Sequence, residues 1–155
     1  SVVPQLLPWL GAERLRLLVH RHIRAKDLSV GFATAAEVMA TRQGDCTEHA
    51  VLLAAMLRAA DIPSRVVTGV IYADQFMGQR AIFGYHMWTQ AWIADGRTGG
   101  RWVDLDATLA DAAYDATHIA LGVSSMRDGL FSNDMLQFAP LMGRIKLEVV
   151  EVAGR

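Results

Sequence analysis

The chain has 155 residues, 52% of them hydrophobic and 20% charged, which suits one compact domain with a sizeable core. A formal net charge of -1 gives no electrostatic footprint for nucleic acid, and a single cysteine excludes an internal disulfide. No apolar run reaches membrane-spanning length, and neither internal repeats nor low-complexity segments occur.

Taken in order, residues 3–10 are apolar but carry Pro4 and Pro8, so they read as an extended lead-in rather than a helix. Residues 13–26 place Leu15, Leu18, Val19, His22 and Ile23 on one stripe, the pattern of an amphipathic helix. Its other side carries Arg14, Arg16, Arg21 and Arg24. A basic face of this kind can lie on a membrane, but a solvated face is the simpler expectation. Residues 32–40 suggest a short helix, with Thr34 as cap and Glu37 placed for a capping box. It is expected to pack beside the next helix and to form one wall of a cleft.

The stretch 41–50, Thr-Arg-Gln-Gly-Asp-Cys-Thr-Glu-His-Ala, organises the rest. Asp45 is a good N-cap, Glu48 completes a capping box three residues on, and Gly44 lets the chain turn sharply before it. Residues 46–60 are apolar on nearly every side and read as a buried helix that stops at Asp61-Ile62-Pro63. The only thiol, Cys46, therefore sits at a helix start, where partial positive charge favours thiolate. The dipole supplies only about 0.3–1 kcal/mol, so a nucleophile ready at neutral pH needs an imidazolium as well. Without a histidine and a carboxylate, Cys46 would be a buried structural residue.

Both follow. Residues 64–73 are β-branched and read as a strand. Residues 74–85, with two glycines and three aromatics, show no period; a substrate-wall loop and a self-packed β-hairpin fit them equally. Residues 85–93 alternate as a strand with His86, Trp88, Gln90 and Trp92 on one face. After a loop at 95–100, residues 101–106 form a short strand with Asp104 and Asp106 on one face. Asp111, Tyr114, Asp115 and His118 suggest turns and caps, residues 119–138 a loop with a short helix from Asp134, and residues 144–152 a final strand.

Four quoted pieces resemble the transglutaminase-like superfamily, in particular its bacterial domains of cysteine-protease type. They are Gly44-Asp45-Cys46 before a helix, Asp61-Ile62-Pro63-Ser64-Arg65 at a strand entry, His86-Met87-Trp88 on a strand, and Trp102-Val103-Asp104-Leu105-Asp106-Ala107-Thr108. They occur in the family's order and cover about residues 36–108. Asp61 stands where the family usually has Gly, which Asp allows because it tolerates left-handed geometry, and Ala107 stands where Pro is common. The pattern of elements alone gives an α+β fold, helices first and then strands. The resemblance adds a papain/transglutaminase-like topology, with the buried nucleophile helix packed on a largely antiparallel sheet.

The resemblance also implies a catalytic triad of Cys46 as nucleophile, His86 as general base and acid, and Asp106 as its orienting partner. Asp104 is the rival on the same face, but Asp106 holds the family's Asp-x-Thr place. The implied reaction is thiol-dependent acyl transfer on a peptide or protein amide, through a thioester. Hydrolysis is favoured slightly over transamidation. No cofactor, metal, nucleic-acid partner or membrane span is expected. Two other classes were weighed: a zinc site using Cys46 with His49 and His86 or an aspartate, and an inactive binding module on the same fold. Residues 1–155 are expected to form a single domain. The chain begins Ser1-Val-Val-Pro4 without methionine, as expected for a processed form or a piece of a longer protein, so localisation stays open.

Overall fold

The computed structural model describes residues 3–25, 33–76, 78–96, 99–110, 114–126, 140 and 144–148. Among the described residues, three helices precede four strands: α1 (Val3–His22), α2 (Ala35–Thr41), α3 (Cys46–Ala59), β1 (Ser64–Phe76), β2 (Gln79–Ala94), β3 (Gly100–Leu105) and β4 (His118–Ser124). The strands form one sheet in the order β3-β2-β1-β4, every neighbouring pair antiparallel. The architecture is α+β, as the pattern of elements predicts.

Both predicted capping boxes are present. Thr34 accepts from the Glu37 N–H while Glu37 accepts from the Thr34 N–H, which starts α2. At α3, Asp45 Oδ1 accepts from the Thr47 N–H at 2.8 Å, and Glu48 Oε2 accepts from the Asp45 N–H at 3.0 Å. Glu48 is fully buried, and its other oxygen accepts from the Ala33 N–H at 3.1 Å, tying the entry of α2 to that of α3. Burial pushes the Glu48 carboxyl above its ordinary pKa. The helix-start turn also demands glycine: Gly44 has φ +154°, and a Cβ there would lie 2.2 Å from Glu48 Cβ. At the other end of α3, Asp61 adopts φ +57°, the left-handed geometry for which Asp substitutes for Gly.

The core lies between helices and sheet. Ala12, Val19 and Ile23 from α1 and the residue after it, Val38 from α2, and Leu52, Leu53 and Leu57 from α3 meet Ala91, Ile93 and Leu105 of the sheet. A second cluster joins Ala50 and Ala54 of α3 to Val66 and Met87, with Cys46 packed against it. Thr89 Oγ1 donates to the Ala50 carbonyl at 3.0 Å, which fixes α3 on β2 through a buried polar bond. Each large aliphatic side chain in these clusters contributes about 1.5–3 kcal/mol by leaving water.

Four expectations change. Residues 3–10 are helical within α1, despite two prolines. Pro4 falls in the first turn, where an N–H has no intrahelical acceptor anyway; Pro8 forfeits one helical bond, which the packing of Trp9, Ala12 and Leu15 on the core outweighs. Arg16 is not on a solvated face: it is 2% exposed, because it shares the spacing of Ala12, Val19 and Ile23. Of the two readings of residues 74–85 the structure takes the β-hairpin, with Phe76 paired to Gln79. Strand β4 occupies 118–124, where a loop was expected. Residues 144–148 lie outside every strand, and the remainder of the expected final strand, like the helix from Asp134, lies outside the described residues.

The cap at α3 gives a direct test. Asp45→Ala should lose about 0.5–2 kcal/mol of stability, whereas Asp45→Ser, which keeps a capping oxygen, should stay close to wild type. Chemical denaturation of the two variants measures this, and equal losses would mean that the Asp45 side chain does more than cap.

Candidate active site

Cys46 is the first residue of α3 and is half-buried. His86 lies in β2, where the strand passes from its exposed hairpin half to its buried half. Asp106 follows the last residue of β3. The antiparallel register pairs Thr89 with Leu105 and so brings the end of β3 alongside His86. His86 Nε2–H donates to Asp106 Oδ2 at 2.6 Å, and Cys46 lies close enough to His86 to raise its pKa and to line the same cavity. The three residues expected to act together are thus brought together in the order sulfur, imidazole, carboxylate.

Asp106 is 2% exposed, so its charge persists only if donors replace water. Four do. Besides His86, Thr108 donates its N–H and Oγ1–H to Oδ1 at 2.8 and 2.7 Å, and His118 Nε2–H donates to Oδ2 at 3.1 Å. Burial raises the carboxyl, but the bonds from His118, His86 and Thr108 and the His86 charge outweigh it and hold it far below the usual carboxylate range. For His86 the balance is similar. Burial pushes the imidazole down, while hydrogen bonds and charges of Asp106 and Cys46 lift it to about 9. At neutral pH this ring carries its second proton.

Asp104, the rival carboxylate, is occupied elsewhere. It accepts from Trp88 Nε1 at 2.8 Å and from Gln90 Nε2 at 2.7 Å, on the face that alternation predicted for His86, Trp88 and Gln90. It thereby locks the Trp88 indole under the histidine, whose ring stacks on it at 6.1 Å between centroids. Trp88 in turn requires Gly69 on β1, where a Cβ would approach the indole to 2.7 Å.

The sequence did not point to several supports. Arg16 Nη1 donates to the carbonyls of Asp106 at 3.1 Å and Leu109 at 2.6 Å, and its charge is matched by Glu13 at 2.7 Å. His20 Nδ1 lies 3.0 Å from the Ala107 carbonyl. Helix α1 therefore clamps the segment that carries Asp106. The helical spacing from Ala12 to Val19 was the available signal for Arg16; His20 follows one turn later. His118 had none, because nothing local marks a bond to a residue twelve positions away.

Of the metal alternative, His49 aims Nδ1 at the Asp45 carbonyl at 2.6 Å. Among the described residues, the group with metal-ligand spacing is His86, Asp106 and His118, which excludes Cys46 and His49; its nitrogens already donate to Asp106. Cys46, His49 and His86 line a cavity of about 480 Å³ whose other walls include Ile71, Ile82, Tyr85 and Leu109. A concavity of about 690 Å³ beside the hairpin touches none of these three.

The raised His86 pKa fixes a pH dependence. A group whose folded pKa lies above its unfolded 6.5 contributes stability fully below about pH 6.5 and loses it as pH rises through about 9. The unfolding midpoint should therefore fall between about pH 7 and 9.5 more steeply in wild type than in His86→Gln. Parallel profiles would contradict the assignment of that charge.

The transglutaminase-like superfamily model matches residues 8–107. Two solved structures share the fold. One is described as "a Putative Cysteine Protease from Cytophaga hutchinsonii", with 21% identity, a TM-score of 0.59, and 76% of this chain aligned to 36% of that one. The other is calcium-bound LapG of Legionella pneumophila, with 14% identity, a TM-score of 0.54, and 75% of this chain aligned to 64% of that one. The chain thus spans about a third and about two thirds of the lengths of these two proteins. No curated protein sequence matches it significantly. With the family pattern running from the middle of α1 to the residue after Asp106, the chain belongs to the transglutaminase-like superfamily.

Proposed function

We propose that this protein is a cysteine-type enzyme that hydrolyses amide bonds of a peptide or protein through a thioester on Cys46. The observation that carries the proposal is that Cys46 and His86 line one cavity while His86 is hydrogen-bonded to the buried Asp106 behind it. The superfamily match and the fold shared with a structure described as "a Putative Cysteine Protease" support the same class.

In the proposed reaction the Cys46 sulfur attacks the amide carbonyl carbon, and the carbonyl π pair moves to oxygen. The Cys46 N–H, a first-turn group for which a helix offers no acceptor, donates to that oxyanion in this reading. Protonated His86 gives its proton to the leaving nitrogen as the C–N bond breaks, leaving a thioester and an amine. His86, now neutral, takes a proton from water as its oxygen attacks, and the C–S bond breaks to release acid and thiolate. Asp106 keeps the ring oriented and stabilises its charged form in both halves. Hydrolysis is favoured over transfer to an amine because Cys46 is only half-buried, so water reaches the thioester.

The test uses iodoacetamide on the folded chain, whose single cysteine makes the adduct unambiguous. At about pH 7, His86→Ala should slow alkylation by about 10-fold or more, the weight of one pKa unit. Asp106→Asn should slow it clearly, and Asp104→Asn little. Reversed effects of the two aspartates would move the orienting role to Asp104, and indifference to His86 would sink the proposal. Fluorescein-labelled casein with dansylcadaverine separates the reactions: Cys46-dependent release of fragments is expected, and Cys46-dependent dansyl incorporation without cleavage would make the enzyme a transferase.

A further inference from the structure

His118 is the first residue of β4, at the sheet edge, and its side chain is buried to 1% exposure. Its Nε2–H donates at 3.1 Å to the same Asp106 oxygen, Oδ2, that accepts from His86 at 2.6 Å. The ring cannot swing away. Tyr114 packs on it at 4.4 Å between centroids, and Trp88 meets it edge-on at 5.2 Å. On the far side, Nδ1 faces Thr117 Oγ1 at 3.4 Å and Asp115 Oδ1 at 3.6 Å, while the Thr117 hydroxyl is itself bonded to Asp115. His118 thus stands between two carboxylates with both nitrogens engaged.

We infer that His118 is a positioning residue: by holding Asp106 Oδ2 from the side opposite Thr108, it keeps the carboxylate aimed at His86 and, through it, the imidazole aimed at Cys46. This rests on the proposed role of the Cys46–His86 pair. The physical reason is that a carboxylate is one rigid plane, held only as firmly as its hydrogen bonds. Thr108 restrains it at Oδ1 from the same turn, and the play that remains shows as tilt at Oδ2. A second donor on Oδ2, from a strand on the other side of β1, fixes that tilt independently of the catalytic ring. Asp106 then keeps its place during the step in which His86 gives up its proton and the bond between them weakens.

The experiment compares iodoacetamide alkylation of Cys46 in the wild-type chain, His86→Ala, His118→Leu and His118→Gln, with each unfolding midpoint recorded. Leu removes the donor, whereas Gln keeps an N–H at about the reach of Nε2. His118→Leu should slow alkylation at about pH 7 by about 10-fold, the weight of one charge-assisted hydrogen bond, and His118→Gln should recover most of the rate. A purely structural histidine would lower the unfolding midpoint without separating the two rates. If Leu alkylates like wild type while His86→Ala is slow, the inference falls and the Cys46–His86 pair stands. If wild type is no faster than His86→Ala, the pair itself falls. Should both His118 variants fail to fold, ring nitrogen-15 spectra of wild type decide: His118 Nε2 should carry a proton at about pH 7, and a bare Nε2, which cannot donate to Asp106, overturns the inference.

Discussion

A carboxylate taken almost wholly out of water must be given back the hydrogen bonds that water supplied, and Asp106 receives them from three directions. His86 arrives from β2, His118 from β4, and Thr108 from the turn that Asp106 itself begins. The backbone of the same segment is held by Arg16 and His20 of α1. Every element that surrounds the site is thus tied, directly or by one intermediary, to this residue. Its negative charge is also what lifts His86 to about 9 against the penalty of burial. Were Asp106 neutral or displaced, desolvation alone would leave the imidazole uncharged and Cys46 without a cationic partner.

The two capping boxes were legible because they are local: the donor, the acceptor and the spacing all lie within four residues. The His86–Asp106 meeting was legible only through the family pattern, since no period in either strand says that they pair. What was not legible follows a common physical cause. Arg16 is a charge whose carbonyl acceptors lie ninety or more positions along the chain, so only its helical spacing hinted at burial, and those carbonyls with Glu13 offset the cost of desolvating it. Strand β4 inverts the usual polarity, with Ile119, Leu121 and Val123 outward and the polar His118 inward. Ile119, Leu121 and Val123 do alternate at period two, so the strand signal was present but lay in a stretch otherwise read as loop. The hairpin tip shows no period because burial there does not alternate: residues 79–81 are all exposed and 82–84 all half-buried. Pro8 misled for the opposite reason, a strong local penalty overridden by the packing of one long helix.

Electrostatics decides between the two aspartates more firmly than position does. Asp104 in β3 and Asp106 just beyond its end lie two positions apart, yet their partners differ in kind. The indole and amide that bind Asp104 are neutral donors with nothing to gain from its charge beyond a hydrogen bond. Asp106 faces a titratable ring, and both groups shift in the directions that favour an ion pair. Tyr114, caught between these carboxylates and Asp115, is pushed up to about 12 by burial and by their charges, so it stays neutral and packs against His118. The cluster separates a structural acid from a chemical one using the same residue type two positions apart.

The central claim is that Cys46 and Asp106 act on one imidazole, and the His86 ring itself reports it. Its nitrogen-15 shifts should be followed from about pH 5 to 10.5 in wild type and in Cys46→Ser. The account predicts a wild-type midpoint near 9 and a lower one once the sulfur is gone, since both neighbours raise it. A wild-type midpoint at the ordinary 6.5 of histidine, or one that ignores the loss of Cys46, would contradict it.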